Sequence, residues 1–429
     1  MIQISRLFRF IRTDVIWVAT GQLVALIVGL LSLKIFTNLF AAEQYAYIAL
    51  MMAMSAWIWT GLYQPLNQTI FRFYPLAIQQ GWQAGFIPNV LNYEKKIAVV
   101  VLVLSAAGLV YGVVAEREAS FFLLILLSAS MGTIYGGVHG VVSFFLAQKK
   151  RQPVAVIQSS DGLFRLVGGL LAFYAVSQTE YATATGLVLA GLVFFIVVMV
   201  VFRKQLLFQQ ITHKKINEDI YLAEFKQYFN KMFVVMILNA SVIHLDKWLL
   251  FALIGGVGFG KYAVVYMLAM TMTTVMYVFF EMLGFPIIFN QQNPYRRKHL
   301  LTLLLASYAL CLGGVVLIIN TFGEQILLFF TSQYVASEQE IFTTLMLACG
   351  LLNFGRLLMV QGQVDKQPDK YWPAYLVLLC FFVSWCLLLV GQDDGLLAAQ
   401  GFAWGSVIFI AITGILNMTG KEQLKVSDV

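Results

Sequence analysis

Between Asn239 and Tyr262 the chain reads NASVIHLDKWLLFALIGGVGFGKY, a stretch apolar enough to cross a bilayer that still carries Asn239, His244, Asp246 and Lys247. An ionisable side chain at membrane depth costs at least a few kcal/mol, so it persists where it faces a cavity or a partner. Either these residues line a path, or Asp246 and Lys247 lie near the outer end and snorkel to the interface. Asn239 and Asp246 stand seven apart and His244 and Lys247 three apart, which spreads the polarity over two adjoining stripes of a helix. That is wider than one snorkelling residue requires.

Of the 28 Lys and Arg residues, Lys34, Arg165, Lys247 and Arg356 fall inside apolar segments. Asp161 precedes Arg165 by four and can pair with it on one helix face, either as a structural ion pair or as part of a site. Arg356 follows Asn353 and has no acid at helical spacing. Four buried cations from four helices predict a pocket for an anion, and phosphate is the anion that Arg holds through paired donors. Asp161, Asp246 and Glu281 are the acids available for ion coupling. Glu281, in YVFFEMLGFP, is either a relay carboxylate or a residue of the cytoplasmic interface. His139 and His244 either titrate or serve as packed hydrogen-bonding residues. Trp59, Tyr63, Gln64 and Asn67 combine rings and amides in the way sugar contacts do, although Trp and Tyr also form interfacial belts.

No enzyme signature accompanies these residues: there is no G-x-S-x-G, no H-E-x-x-H and no Walker sequence. A transporter is expected rather than an enzyme, with no cofactor, and ATP is not its direct energy source. Cys311, Cys349, Cys380 and Cys386 lie in apolar segments without metal-ligand spacing, so neither a disulfide framework nor a metal site is expected.

The elements that position these groups follow from composition. The chain of 429 residues is 60% hydrophobic and 11% charged, far from the roughly 25% charge of soluble domains. An all-α polytopic membrane protein is predicted. At about 20 apolar residues per span, twelve helices fall near 14–38, 45–71, 96–115, 121–146, 153–176, 182–202, 228–254, 260–289, 299–320, 340–362, 372–391 and 396–418. With that count the loops of one side hold only Arg117 and Lys261. The remaining loop cations lie at the termini and on the other side, which makes both termini cytoplasmic. Nucleic acid is not implied by the net charge of +7. Arg6, Arg9 and Arg12 precede a run too long for a signal-peptide core, so the first helix is expected to stay as an anchor.

Two six-helix lobes are predicted, residues 1–204 and 226–429, joined by a polar cytoplasmic linker at 205–225 that includes an interfacial helix. Glu43 to Tyr47 pair with Val257 to Lys261, and Gln152–Pro153 with Gln367–Pro368, at offsets near 214 residues. Tyr93 to Lys96 pair with Tyr295 to Lys298 only across a gap. Two halves that both begin in the cytoplasm imply a parallel repeat. Lys34 and Lys247 then occupy nearly equivalent places. Gly132, Gly136 and Gly140, four apart, let another helix approach closely. Pro65, Pro75 and Pro286 interrupt apolar segments where halves that rock can bend.

The segments GQLVALIVGLLSLKIFTNLFAAEQYAYIAL, GLYQPLNQTIFRFYP and HLDKWLLFALIGGVGFGKYAVVYMLA resemble the polysaccharide biosynthesis flippases of the multidrug/oligosaccharidyl-lipid/polysaccharide (MOP) superfamily, and among them the O-antigen (Wzx-type) flippases. The resemblance covers nearly the whole chain in helix number and half-to-half organisation. It implies a bacterial inner-membrane protein that flips an undecaprenyl-pyrophosphate-linked oligosaccharide by ion-driven alternating access. The partners it implies are membrane lipids, a polysaccharide polymerase and other assembly proteins. Ala46 stands where the family has glycine, which Gly260 keeps in the second half. Lipid II flippases of the superfamily usually carry two further helices for a lipid groove, and none is counted among the twelve expected here. A multidrug exporter of the same superfamily and a non-transporting membrane scaffold for polysaccharide enzymes are the alternatives.

The topology is testable by cysteine labelling. Cysteines placed at Glu116 and Asp393 are expected to react with a membrane-impermeant reagent in whole cells, and one at Lys150 to be protected. Labelling of the Lys150 site from outside would overturn the twelve-span arrangement.

Overall fold

Hydrocarbon offers no partner to a backbone N–H or C=O, so a chain this apolar satisfies its backbone within helices. The computed structural model describes residues 2–115, 119–207, 218–291, 293–364, 367–388 and 395–419, and these are almost entirely helical. The first half runs α1 (Ile2–Leu39), α2 (Ala42–Ile58), a π turn (Trp59–Tyr63), α3 (Gln64–Gln80), α4 (Gln83–Val114), α5 (Ala119–Ala147), α6 (Arg151–Ala175) and α7 (Glu180–Leu207). The second half runs α8 (Glu218–Asn290), α9 (Pro294–Phe330), α10 (Gln339–Leu358), α11 (Val360–Val364), α12 (Trp372–Leu388) and α13 (Gly395–Thr419).

Among the described residues, 11 helical segments are long and apolar enough to cross a membrane, one of them the 61-residue stretch Tyr221–Glu281. A straight helix of that length would run about 90 Å, three times a hydrocarbon core of about 30 Å. Gly255 breaks it, with φ 72° and ψ 172°, a conformation that costs glycine little. Divided there, the 11 segments supply the twelve predicted crossings.

Several boundaries differ from expectation. The third span begins at Gln83 rather than near 96, because Lys95 and Lys96 sit exposed on the flank of α4 instead of in a loop. The second continues to Gln80 through the π turn. Glu218 to Phe225 of the predicted linker form the first turns of α8. Residues 208–217 of that linker, Glu116, Arg117, Asp393 and Asp394 lie outside the described residues.

Two compact units emerge, one of residues 1–29 and 50–240, the other of 30–49 and 241–429. In the first, Gly81 (φ 80°) ends α3 in the left-handed conformation. The corner it makes is filled by rings: Trp82 stacks on Tyr221 at 5.3 Å, Tyr74 meets Phe144 edge-on at 4.9 Å, and Phe86 meets Phe225 at 5.5 Å. In the second, Phe285, Tyr308, Leu312 and Leu357 form a buried cluster joined by Phe280. The α1–α2 corner belongs to this second unit because Gly260 lies directly on the Ala42 backbone and Gly256 lies against the Glu43 side chain. The two stretches in contact include residues that the sequence pairs as equivalents.

Gly260 therefore admits no side chain without moving backbone. Gly260→Ala is expected to lower the melting temperature of the purified protein and its membrane abundance, at an overpacking cost of about 1–3 kcal/mol. Gly314→Ala, where a Cβ meets nothing within 4 Å, is expected to leave both unchanged. Equal stability of the two variants would refute the close approach.

Candidate functional site

In the first unit the site begins at a forced irregularity. Pro65 has no N–H to donate, and its ring crowds the carbonyl four residues earlier. The helix widens there into the Trp59–Tyr63 π turn, closed by Gln64 N–H donating to Trp59 O. Such turns recur at functional sites. This one directs Trp59 and Tyr63 at α5, where Gly136 leaves the space the Tyr63 ring fills and Gly132 sits 2.8 Å, by its absent Cβ, from Ser55 O. The glycine stripe of α5 is thus the seat of the π turn.

Around that seat Trp59 packs on Tyr135 at 5.2 Å and on His139 at 4.7 Å, and Tyr135 and His139 are 4.6 Å apart. Arg165 of α6 lies over the Tyr135 ring at 4.2 Å. Its Nε and Nη2 donate to Asp161 Oδ1 at 3.0 and 2.9 Å, with both residues only 7% exposed. Trp59 Nε1 is buried without an acceptor. Tyr63 is buried, its hydroxyl facing Thr133, and Gln64 is half-buried. Asn67, one turn beyond Tyr63, is 7% exposed, and its Oδ1 receives no hydrogen bond.

Glu94 completes this unit's polar stripe and was invisible to the sequence reading, which placed it in a loop with Lys95 and Lys96. Its Oε1 occupies the space that a Cβ on Gly140 would need, with Asn67 Oδ1 3.7 Å from the same point. Among the described residues no group pairs with or donates to its carboxylate. One signal existed: Ile97, Val101 and Leu102 pack inward, and position 94 shares their helical stripe. The same unit also holds a groove of about 840 Å³ whose apolar wall includes Trp17, Phe164, Phe194 and Val198, with Lys150 and Arg151 on its lining.

In the second unit Lys247 is 4% and Asp246 2% exposed. Neighbours in sequence do not face each other on a helix, so the lysine bends: Nζ donates to both Asp246 carboxylate oxygens at 2.7 Å and to Ile243 O. The ammonium lies 3.5 Å above the Tyr266 ring, which packs on Phe402 and stacks with Tyr262. Arg356 donates to Asn353 Oδ1 at 3.0 Å and reaches Tyr375. The charges of Lys247 and Arg356 both act on His244, and that of Arg356 acts on Glu281, which accepts from Tyr277 at 3.3 Å. Lys34 is half-buried and donates to Leu328 O at 2.8 Å and to Thr331 O, at the C-terminal end of α9, where a cation complements the helix dipole. A cavity of about 550 Å³ adjoins it, lined mainly by polar residues such as Asn38, Ser332 and Gln333.

Lys247, Arg356, His244 and Glu281 therefore share one electrostatic neighbourhood, and Lys34 serves a helix end. Arg165 belongs to the other unit. Asp161 and Asp246 are each held by a cation of their own helix.

No protein-family model matches the sequence, and no curated protein does. Solved structures share its fold. An outward-facing MATE multidrug resistance transporter of the MOP superfamily superposes with TM-score 0.63 at 13% identity, covering 96% of this chain and 97% of that one. The inward-facing form gives 0.65 at 12%, covering 97% and 100%. Lipid II flippase MurJ, inward closed, gives 0.67 at 13%, covering 94% and 86%. The fold is thus that of MOP-superfamily transporters.

The Asp161–Arg165 pair makes a separable prediction. Arg165→Leu leaves a buried carboxylate alone, at a cost of about 3–5 kcal/mol, and is expected to cut membrane abundance several-fold. Asp161→Leu combined with Arg165→Leu is expected to restore abundance. A double variant as scarce as the single one would refute the pairing account.

Proposed function

We propose that the chain is a flippase that carries an undecaprenyl-pyrophosphate-linked oligosaccharide, an O-antigen or related surface-polysaccharide unit, across a bacterial inner membrane. Transport proceeds by ion-coupled alternating access, with both termini in the cytoplasm. The observation that carries this reading is that each unit sets one buried cation on aromatic rings: Arg165 on Tyr135 beside Trp59, and Lys247 on Tyr266 beside Phe402. Cations suit a pyrophosphate and ring faces suit sugars. The fold shared with a lipid II flippase and with MATE transporters supports a transporter.

In this reading Lys34, Arg165, Lys247 and Arg356 bind the anion, and Trp59, Tyr63, Gln64 and Asn67 meet the sugars. Arg165 and Lys247 wait as ion pairs, because an uncompensated cation is expensive at that depth. The substrate's oxygens then exchange with Asp161 and Asp246. The basic-ended apolar groove beside Lys150 and Arg151 suits a lipid that keeps its tail in the membrane. A polymerase and other assembly proteins acting on the same unit are the expected partners. One observation favours a second reading, export of an organic cation: the Glu94 carboxylate near Tyr63, which has no cation beside it among the described residues.

Surface-polysaccharide complementation beside membrane abundance tests the anion site in Arg165→Ala, Arg165→Lys, Arg356→Ala, Lys34→Ala and Lys247→Ala. Losing one desolvated charge contact costs about 2–5 kcal/mol, roughly a thirty-fold or larger loss of affinity. Polymer is expected to fail in the alanine variants that remain abundant, with Arg165→Lys intermediate. Normal polymer from both arginine-to-alanine variants would sink the proposal. Dye-cation efflux by the wild type with no change in polymer would favour the exporter.

A further inference from the structure

The acids of the interior divide sharply by partner. Asp161 is held by Arg165, Asp246 by Lys247, and Glu281 accepts from Tyr277 in the field of Arg356. Among the described residues, Glu94 alone of these four has neither a cation nor a donor. Another acceptor lies nearby: Asn67 Oδ1, buried and without a donor among the described residues, is 3.7 Å from the point on Gly140 that Glu94 Oε1 occupies. A buried acceptor without a donor is costly, and a proton on a neighbouring carboxyl can supply one. The absence of a side chain at Gly140 is what lets the carboxyl reach this seat.

A metal ion is a poor occupant. Hard cations take about six to eight oxygens, and this seat offers one carboxylate and one amide oxygen. Tyr63 and Thr133 face each other, and among the described residues no three His, Cys, Asp or Glu side chains gather to hold a metal. A proton needs only the two groups present, since a protonated carboxyl donates to the amide oxygen. Among the described residues no counter-charge is shown acting on Glu94. Tyr63 comes from the π turn, and His139 of α5 packs on Trp59. α8 brings Phe225 and Phe229 against Tyr93. Lys95 and Lys96 are exposed, and Arg165 is neutralised by Asp161.

We propose that Glu94 and Asn67 form the proton-carrying site that couples transport. The carboxylate takes up a proton from water on one side, keeps it while the site is closed in a hydrogen bond to Asn67 Oδ1, and releases it to water on the other. This deepens the transport reading and rests on it for what the proton drives, but not for the site itself. Asp161, Asp246 and Glu281 are left to pairing and binding.

Infrared difference spectroscopy of the full-length protein in lipid, titrated with acid, reads the site without any cargo. The wild type is expected to show a protonated-carboxyl C=O band that disappears as pH rises. Glu94→Gln is expected to lose that band, Asn67→Leu to shift it to higher frequency as its hydrogen bond is lost, and Glu281→Gln to keep it. A Glu94→Gln spectrum identical to the wild type's would overturn the proposal, as would a band removed by sodium at constant pH. In vesicles, Glu94→Gln is expected to lose at least ten-fold of pH-gradient-driven accumulation of lipid-linked oligosaccharide while keeping downhill movement. Undiminished gradient-driven accumulation would equally overturn the coupling role. If the wild type moves no such lipid yet the band behaves as described, the cargo assignment falls and the proton site stands.

Discussion

A charge in hydrocarbon must be compensated within reach of its own side chain, and the interior of this protein is arranged around that requirement. Born-type desolvation of an isolated ion far exceeds what packing returns, so each buried cation has found oxygen. Arg165 and Lys247 take carboxylates of their own helices, and Lys34 takes the carbonyls that α9 leaves unsatisfied at its end. The pairing compensates these cations where they lie. It also makes the exception conspicuous, because among the described residues Glu94 has no such partner.

Compensation at this depth depends on helices meeting closely enough for side chains to be shared, and glycine sets those distances. Gly132, Gly136 and Gly140 give α5 a flat face that receives, in turn, Ser55, the Tyr63 ring and the Glu94 carboxyl. Pro65 supplies the complementary distortion by forcing the π turn that aims Trp59 and Tyr63 at that face. Packing and chemistry are thus one arrangement here. In the second unit Gly260 does for the α1–α2 corner what the stripe does for the π turn, and Gly255 turns a single long helix into two crossings.

A fold does not fix what a chain acts on; the side chains of its sites do. MATE transporters and a lipid II flippase share this architecture at 11–13% identity, so the backbone serves very different cargo. In this chain buried cations lie on rings, Arg165 over Tyr135 and Lys247 over Tyr266.

Much of this was legible in the sequence, because the membrane reduces it to local rules. Apolar runs of span length, basic residues gathered between them and the four-residue spacing of Asp161 and Arg165 act over one or two helical turns, and periodicity reports such distances directly. The glycine spacing on α5 likewise announced a close helix neighbour, without saying which. Only the tertiary structure decided the long-range partners. Lys34 ends on carbonyls nearly three hundred residues away, Ala42 lies on Gly260, and Glu94 leaves its apparent loop to sit beside Asn67. The physical reason is that a side chain's spacing sets the face it occupies on its own helix. Which other helix covers that face follows from packing of the whole chain, and no local period records it.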